Sequence, residues 1–114
     1  SLNRSGKPER NVQPWMNQIQ WHTGSVFERE SCLSAMKNAT AVVSTVGAFG
    51  SNETMERMNG DANIEATNFA VQSGIKKFIF ISSNRVGSLQ LPKWAPMYGY
   101  YHGKERAEAS VRQQ

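Results

Sequence analysis

A single cysteine, Cys32, serves the whole 114-residue chain. That excludes an internal disulfide framework and any cysteine-rich zinc site. Histidine is nearly as scarce, with only His22 and His102, so no metal centre is expected. No apolar run approaches the 18 or so residues that a membrane-spanning helix needs. Charge is thin, at 19% of residues, and its basic excess (net +4, pI about 9.5) is not gathered anywhere. Lysine and arginine are scattered from Arg4 to Arg112, without the basic stripe and interleaved aromatics of a nucleic-acid surface. No nucleic-acid partner is expected; the excess reads as solvated surface plus a local anion site near residues 4–10. No targeting segment is visible. The hydrophobic fraction is 39%, but Trp, Phe, Ile and Val fall in patterned clusters, which argues against disorder. A chain of this length makes one domain, 1–114, able to bury roughly 65% of its unfolded surface.

What is present has an order. Residues 1–17 are polar and broken by Gly6, Pro8 and Pro14, so they read as loop, with a short helix around Pro14–Asn17. Ile19–Phe27 is partly β-branched and aromatic and predicts a strand ending near Gly24. Glu28–Ala39 predicts a short helix with Leu33 and Met36 inward. Thr40–Val46 is the short apolar run of a buried parallel strand. Gly47 to Gly50 break it, and Ser51 or Asn52 can cap a helix running to about Gly74. Met55, Met58, Ala62, Ala66, Phe69 and Ala70 recur at three- and four-residue steps and predict its apolar face. Lys76–Ile81 predicts a strand, Ser82–Pro96 a loop and Tyr98–Arg112 a last helix. Strands alternating with helices at this spacing imply parallel βαβ units, hence an α/β fold.

Three groups of residues carry chemistry. Arg4 and Ser5 follow the chain's first residues; in dinucleotide-binding folds the segment after the second strand meets the adenosine ribose, and an arginine there accommodates a 2′-phosphate. The bland alternative is a basic turn. Val46, Gly47, Ala48 and Gly50 lie at the carboxyl end of a predicted strand, where open α/β sheets bind ligands and glycines let the backbone approach closely. Tyr100 and Lys104 are four residues apart and share a helix face, where an ammonium favours the phenolate. Ser82 and Ser83 end the preceding strand, and a serine hydroxyl there can orient a carbonyl against the phenol. The alternative for Tyr98, Tyr100 and Tyr101 is a packing cluster under the loop. Cys32 and the methionines of the long helix read as core.

Asn-Arg-Ser-Gly (3–6), Gly-Ser-Val (24–26), Ala-Val-Val-Ser-Thr-Val-Gly-Ala-Phe-Gly (41–50), Met-Asn-Gly-Asp-Ala-Asn (58–63), Gly-Ile-Lys-Lys-Phe-Ile-Phe-Ile-Ser (74–82) and Gly-Tyr-Tyr-His-Gly-Lys (99–104) together resemble the atypical short-chain dehydrogenase/reductase family. The resemblance is to its plant organellar NAD(P)-binding Rossmann proteins. These are related to the NADPH-binding accessory subunit of respiratory complex I and to a coenzyme Q biosynthesis accessory protein. It implies a partial doubly wound parallel-sheet Rossmann fold lacking the first βα unit, so that the chain reads as an internal fragment. The family's Gly-Asp at the end of the third strand is replaced here, with Ser25 in place of the adenine-contacting Asp.

By the same resemblance, Arg4 and Ser5 meet the 2′-phosphate side of NADP(H), with NAD(H) the alternative cofactor. Val46 and Gly47 line the path of the adenosine and pyrophosphate, and Ser82 and Ser83 border the nicotinamide. Ser83, Tyr100 and Lys104 stand in the catalytic places, while Asn59 and Asn63 brace the long helix against neighbouring loops. The implied function is NADP(H) binding in an oxidoreductase-like parent, the isolated chain being inactive. The alternative is a non-catalytic accessory protein of organellar quinone or respiratory metabolism. A quinone-related substrate or an organellar complex is the implied partner, and the mitochondrion the implied compartment, with the chloroplast as alternative.

Overall fold

A computed structural model describes residues 1–8 and 10–114. Glu9, within the loop expected over residues 1–17, lies outside the described residues. The elements follow in the order β1 (Leu2–Asn3), a 3-10 turn (Pro14–Gln18), β2 (His22–Thr23), α1 (Arg29–Met36), β3 (Val42–Ser44), α2 (Asn52–Glu56), a π-helical segment (Arg57–Asp61), α3 (Ala62–Gln72), β4 (Phe78–Phe80) and α4 (Tyr98–Gln113).

Both ladders are parallel. β1 pairs with β2 through Leu2↔His22 and Asn3↔Thr23, and β3 with β4 through Val42↔Phe78, Val43↔Ile79 and Ser44↔Phe80. A doubly wound sheet ordered 3-2-1-4-5 places its first strand between the second and the fourth. Second-with-third and fourth-with-fifth pairing, in two separate ladders, is what that order leaves when no first βα unit is present. The architecture is a Rossmann-like α/β fold.

The strands are shorter than their sequence runs. Ile19–Phe27 yields only His22–Thr23, because Ser25 opens a turn: its carbonyl accepts from Glu28 N at 3.0 Å and its hydroxyl from Phe27 N at 3.1 Å. Thr40–Val46 and Lys76–Ile81 contract to their mutual overlap, although Val42 N→Lys77 O (2.9 Å) and Ile81 N→Ser44 O (3.1 Å) prolong the bonding at either end. A parallel strand is only as long as its partner.

One face of the β3–β4 ladder packs against α3 and α4, while Val43, Ile79 and Ile81 on the other are about half exposed. The expected long helix is broken into α2, the π segment and α3. Ser51 caps it, its hydroxyl accepting from Thr54 N at 3.1 Å, and Gly74 ends it in the left-handed conformation, φ +74°. Met55, Ala62, Ala66, Phe69 and Ala70 are buried as the periodicity predicts, but Asn59, Asn63 and Thr67 are buried among them, while Met58 is only half-buried.

Those amides have partners. Asn63 Nδ2 donates to Val46 O and Asn59 O, both at 3.0 Å, and Ser44 Oγ donates to Asn63 Oδ1. Asn59 Nδ2 donates to Ala48 O (2.9 Å) and Met55 O (2.8 Å). The helix is thereby fastened to the segment leaving β3. α4 crosses the π segment at Gly60 and Gly103, where a Cβ on Gly103 would come within 2.9 Å of Gly60 N. Arg106 spans the seam to Glu56 (3.2 Å) and Asp61 (2.9 Å), and His102 Nδ1 meets Glu56 at 2.9 Å.

Candidate functional site

The start of α4 is fixed by tertiary contacts. Met97 precedes it in the left-handed region, φ +70°, and lends it no side-chain cap. Asn52 of α2 serves instead: its Oδ1 accepts from Gly99 N and its Nδ2 donates to Ala95 O, each at 2.9 Å. Tyr100 follows within the first turn. Its ring stacks on Phe49 at 5.2 Å and 7°, and meets Tyr101 edge-on at 5.1 Å and 87°.

One turn later, Lys104 is 6% exposed. Its Nζ donates to Ile81 O at 3.1 Å and lies 5.1 Å from the ring centroids of both Tyr100 and Phe80. Burial pushes its pKa below the usual lysine value, and the negative charge of Glu108 partly opposes that. The structure thus brings Tyr100, Lys104, Phe49 and the end of β4 into one cluster. A buried ammonium against a tyrosine ring at a parallel strand's carboxyl end can favour phenolate formation and so assist proton transfer.

The serines point elsewhere. Ser82 Oγ donates to Glu108 Oε1 at 2.6 Å. Ser83 opens the next turn: its hydroxyl accepts from Arg85 N at 3.3 Å and its carbonyl from Val86 N at 3.2 Å.

At the end of β3, the carbonyls of Val46 and Ala48 are held by Asn63 and Asn59. Gly47 has no room for a side chain on its inner side, since a Cβ would lie 2.6 Å from Asn59 Oδ1. That buried oxygen has no hydrogen-bond partner among the described residues. Gly50 adopts φ +149° and is exposed. The segment 46–50 is thus a bare backbone bend of the kind that lets a phosphate or ribose lie close.

Arg4 and Ser5 sit on the other ladder, in the turn after β1. Asn3 closes that turn through Gly6 N→Oδ1 (2.7 Å) and Nδ2→Lys7 O (2.8 Å), and Ser5 Oγ donates to Lys7 O at 3.0 Å. Arg4, Lys7 and Arg10 are exposed, a donor set suited to a phosphate. The arginine turn, glycine bend and lysine–tyrosine cluster all lie on segments that follow strands, as a dinucleotide laid across the sheet requires.

Sequence reasoning missed Glu108, Asn52 and the stacking partner Phe49. Glu108 had a signal: it lies four residues beyond Lys104 and extends the same helix face. The other two depend on contacts between distant segments. Two surface cavities, of about 240 and 300 Å³, are lined respectively by Phe80, Ser82, Glu108, Val111 and Arg112, and by residues of the 87–91 loop with Tyr98, Tyr101, His102 and Glu105. Neither includes Tyr100. Among the described residues, no three His, Cys, Asp or Glu side chains are grouped to hold a metal, and no helix is long and apolar enough to cross a membrane.

A protein-family profile described as NAD(P)H-binding matches residues 7–114. An uncharacterized chloroplastic protein of Arabidopsis thaliana is 41% identical over 111 residues, 97% of this chain and 36% of that protein. MIOREX complex component 2 of Saccharomyces cerevisiae is 34% identical over 61 residues, 50% of this chain and 22% of that protein. Among solved structures, MoeE5 in complex with UDP-glucose and NAD aligns with a TM-score of 0.62 at 20% identity, covering 78% of this chain and 33% of that one. WbmG of Bordetella bronchiseptica in complex with NAD gives a TM-score of 0.61 at 20% identity, covering 80% and 33%. At such identities the two structures show the fold alone. The chain spans about a third or less of the length of each.

Proposed function

The chain belongs to the NAD(P)H-binding family, and from that premise we propose that it supplies the NADP(H)-contacting half-site of an oxidoreductase of the atypical short-chain dehydrogenase/reductase type. Arg4 and Ser5 receive the 2′-phosphate, and Val46, Gly47, Ala48 and Gly50 form the backbone path beneath the adenosine and pyrophosphate. Ser82 borders the nicotinamide. Tyr100 holds or accepts the proton at its phenol oxygen, Lys104 favours the phenolate, and Ser83 orients the carbonyl once its turn opens toward the site. The cofactor supplies the hydride.

The observation that carries this reading is the 6% exposed Lys104, with its Nζ on Ile81 O and 5.1 Å from the Tyr100 ring centroid. A thermal melt with NADPH and with NADH tests it. Saturating ligand at a hundred times its Kd stabilises by about 2.7 kcal/mol. The midpoint is expected to rise more with NADPH than with NADH, and Arg4→Ala removes the difference. An equal response to both cofactors refutes the role of Arg4. Tyr100→Phe is expected to lower hydride transfer at least about a hundredfold in the longer protein.

A second reading is favoured by the Phe49 ring stacked on Tyr100 and by the local bonds of Ser83. In it, the dinucleotide is bound without turnover and the protein assists an organellar assembly or quinone chemistry. NADPH that binds and is never oxidised supports this reading over the first. The chloroplastic Arabidopsis relative supports a chloroplast location. The mitochondrial alternative has the shorter yeast alignment behind it.

A further inference from the structure

The ammonium of Lys104 offers three donor hydrogens, yet the described residues give it one acceptor, Ile81 O. Its other neighbours are the ring faces of Phe80 and Tyr100. β4 brings no charge to it. On the far side of α4, the carboxylates of Glu56 and Asp61 are engaged by Arg106, and Glu56 also by His102. The remaining acidic group on the Lys104 face is Glu108, one helical turn on.

Glu108 is itself firmly placed. Its Oε1 accepts from Ser82 Oγ at 2.6 Å and its Oε2 from Arg112 Nη2 at 2.9 Å. Its side chain is 22% exposed, against 75% for Arg112. A carboxylate pinned at both oxygens is held ionised, because both bonds favour the charged form. It also clips α4 to the residue after Ile81, whose carbonyl Lys104 uses. The helix is therefore tied to one strand end by two successive turns, through Lys104 to Ile81 and through Glu108 to Ser82.

We infer that Glu108 is a positioning residue of the Tyr100–Lys104 pair: anchored by Ser82 and Arg112, it supplies the negative charge that keeps the buried Lys104 ammonium protonated. This rests on the catalytic reading of that pair. The opposed influences on Lys104, burial lowering its pKa and Glu108 raising it, agree with the arrangement. Without the carboxylate, Lys104 sheds its proton at lower pH, and Tyr100 loses the cation that favours its phenolate.

The test is a pH titration of the Lys104 Cε signal in the ¹³C-lysine-labelled 114-residue chain, assigned with Lys104→Met. Glu108→Gln is expected to move the midpoint to lower pH, and Glu108→Asp to restore part of the shift. An unchanged midpoint in Glu108→Gln overturns the inference. Should Glu108→Gln fail to fold, the unsubstituted chain decides: its Lys104 Cε signal follows the acid-range titration of the Glu108 carboxyl, and a flat response there overturns the inference too. Neither measurement depends on turnover. A normal Glu108 effect with no cofactor response in the melts would sink the catalytic reading and leave the electrostatic one standing.

Discussion

Replacing Gly103 by alanine sets two effects of opposite sign against each other. Alanine is a better helix former than glycine by about 1 kcal/mol, so an exposed site in mid-α4 would gain. At Gly103 the added Cβ meets Gly60 N at 2.9 Å, Glu56 O at 3.1 Å and Glu56 Cα at 3.2 Å. All three are backbone atoms of another helical segment, and no rotamer relieves them. The helices must separate by some tenths of an ångström. Overpacking of this kind costs about 1–3 kcal/mol, which outweighs the propensity gain through most of that range. Net destabilisation of about 1 kcal/mol lowers the melting midpoint by roughly 4–8 °C in a domain this small. Gly99→Ala is the severe member of the series: its Cβ would lie 2.0 Å from Asn52 O, at the contact where Asn52 Oδ1 holds Gly99 N. Gly74→Ala is the control, for nothing lies within 4 Å of its Cβ and only the φ of +74° opposes it, at a cost of about 1–2 kcal/mol. Thermal and urea melts of the three variants should rank Gly99 as the most damaging. A Gly103→Ala chain as stable as the parent would show that the α4 seam yields freely, and the close-contact reasoning would fail.

Two further outcomes follow from buried groups. Asn63→Ala removes the partner of the Ser44 hydroxyl and the Val46 carbonyl; stranding two buried polar groups costs about 2–4 kcal/mol, read as a lower urea midpoint with unchanged slope, and a shift under about 0.5 kcal/mol would place the network's worth elsewhere. In the alkaline range, Lys104 and Cys32 act oppositely. Folding lowers the Lys104 pKa from 10.5, chiefly by burial, so the penalty of burying its ammonium fades as pH rises from the lowered value toward 10.5, and stability rises there. Burial raises the Cys32 pKa from 9.0, helped by Glu28 and Glu65, so stability falls as pH climbs above 9.0. Lys104→Met should therefore steepen the alkaline loss of stability and Cys32→Ala should flatten it; if neither changes the slope between pH 8 and 11, other groups govern that range.

The order of strands and helices was legible because it rests on short-range signals: the apolar run 40–46, the glycines that break it, the cap at Ser51 and the stop at Gly74. Strand length was not, since a ladder ends where its partner turns away, and Ser25 turns early. The π segment was invisible for a related reason. The 3- and 4-residue steps read through Met55, Met58 and Ala62 assume one continuous α-helix, whereas Asn59 replaces Met58 on the buried side. Its amide is acceptable there only because it reaches Ala48 O, a contact that the helix's own sequence cannot announce. The same division holds at the site. Tyr100 and Lys104 lie on one helix and betray themselves by spacing, but the placement of Ser82 depends on a carboxylate 26 residues away.

The π segment has a consequence for how this chain tolerates insertion and deletion. An α-helix advances about 100° per residue, so the wide turn at Arg57–Asp61 works as a one-residue phase shift between α2 and α3. Losing a single residue there would restore unbroken α-helical bonding and improve the helix locally. It would also swing everything downstream by about a quarter turn, carrying Asn63 and Thr67 out of the interior and Ile64 and Asn68 toward it. Ser44 and Val46 would face the wrong side chains, and the backbone bend at Gly47 would lose its moorings. The irregular turn thus fixes the reading frame of the fold: length changes that a surface loop absorbs unnoticed are, within these five residues, rotations of half the core.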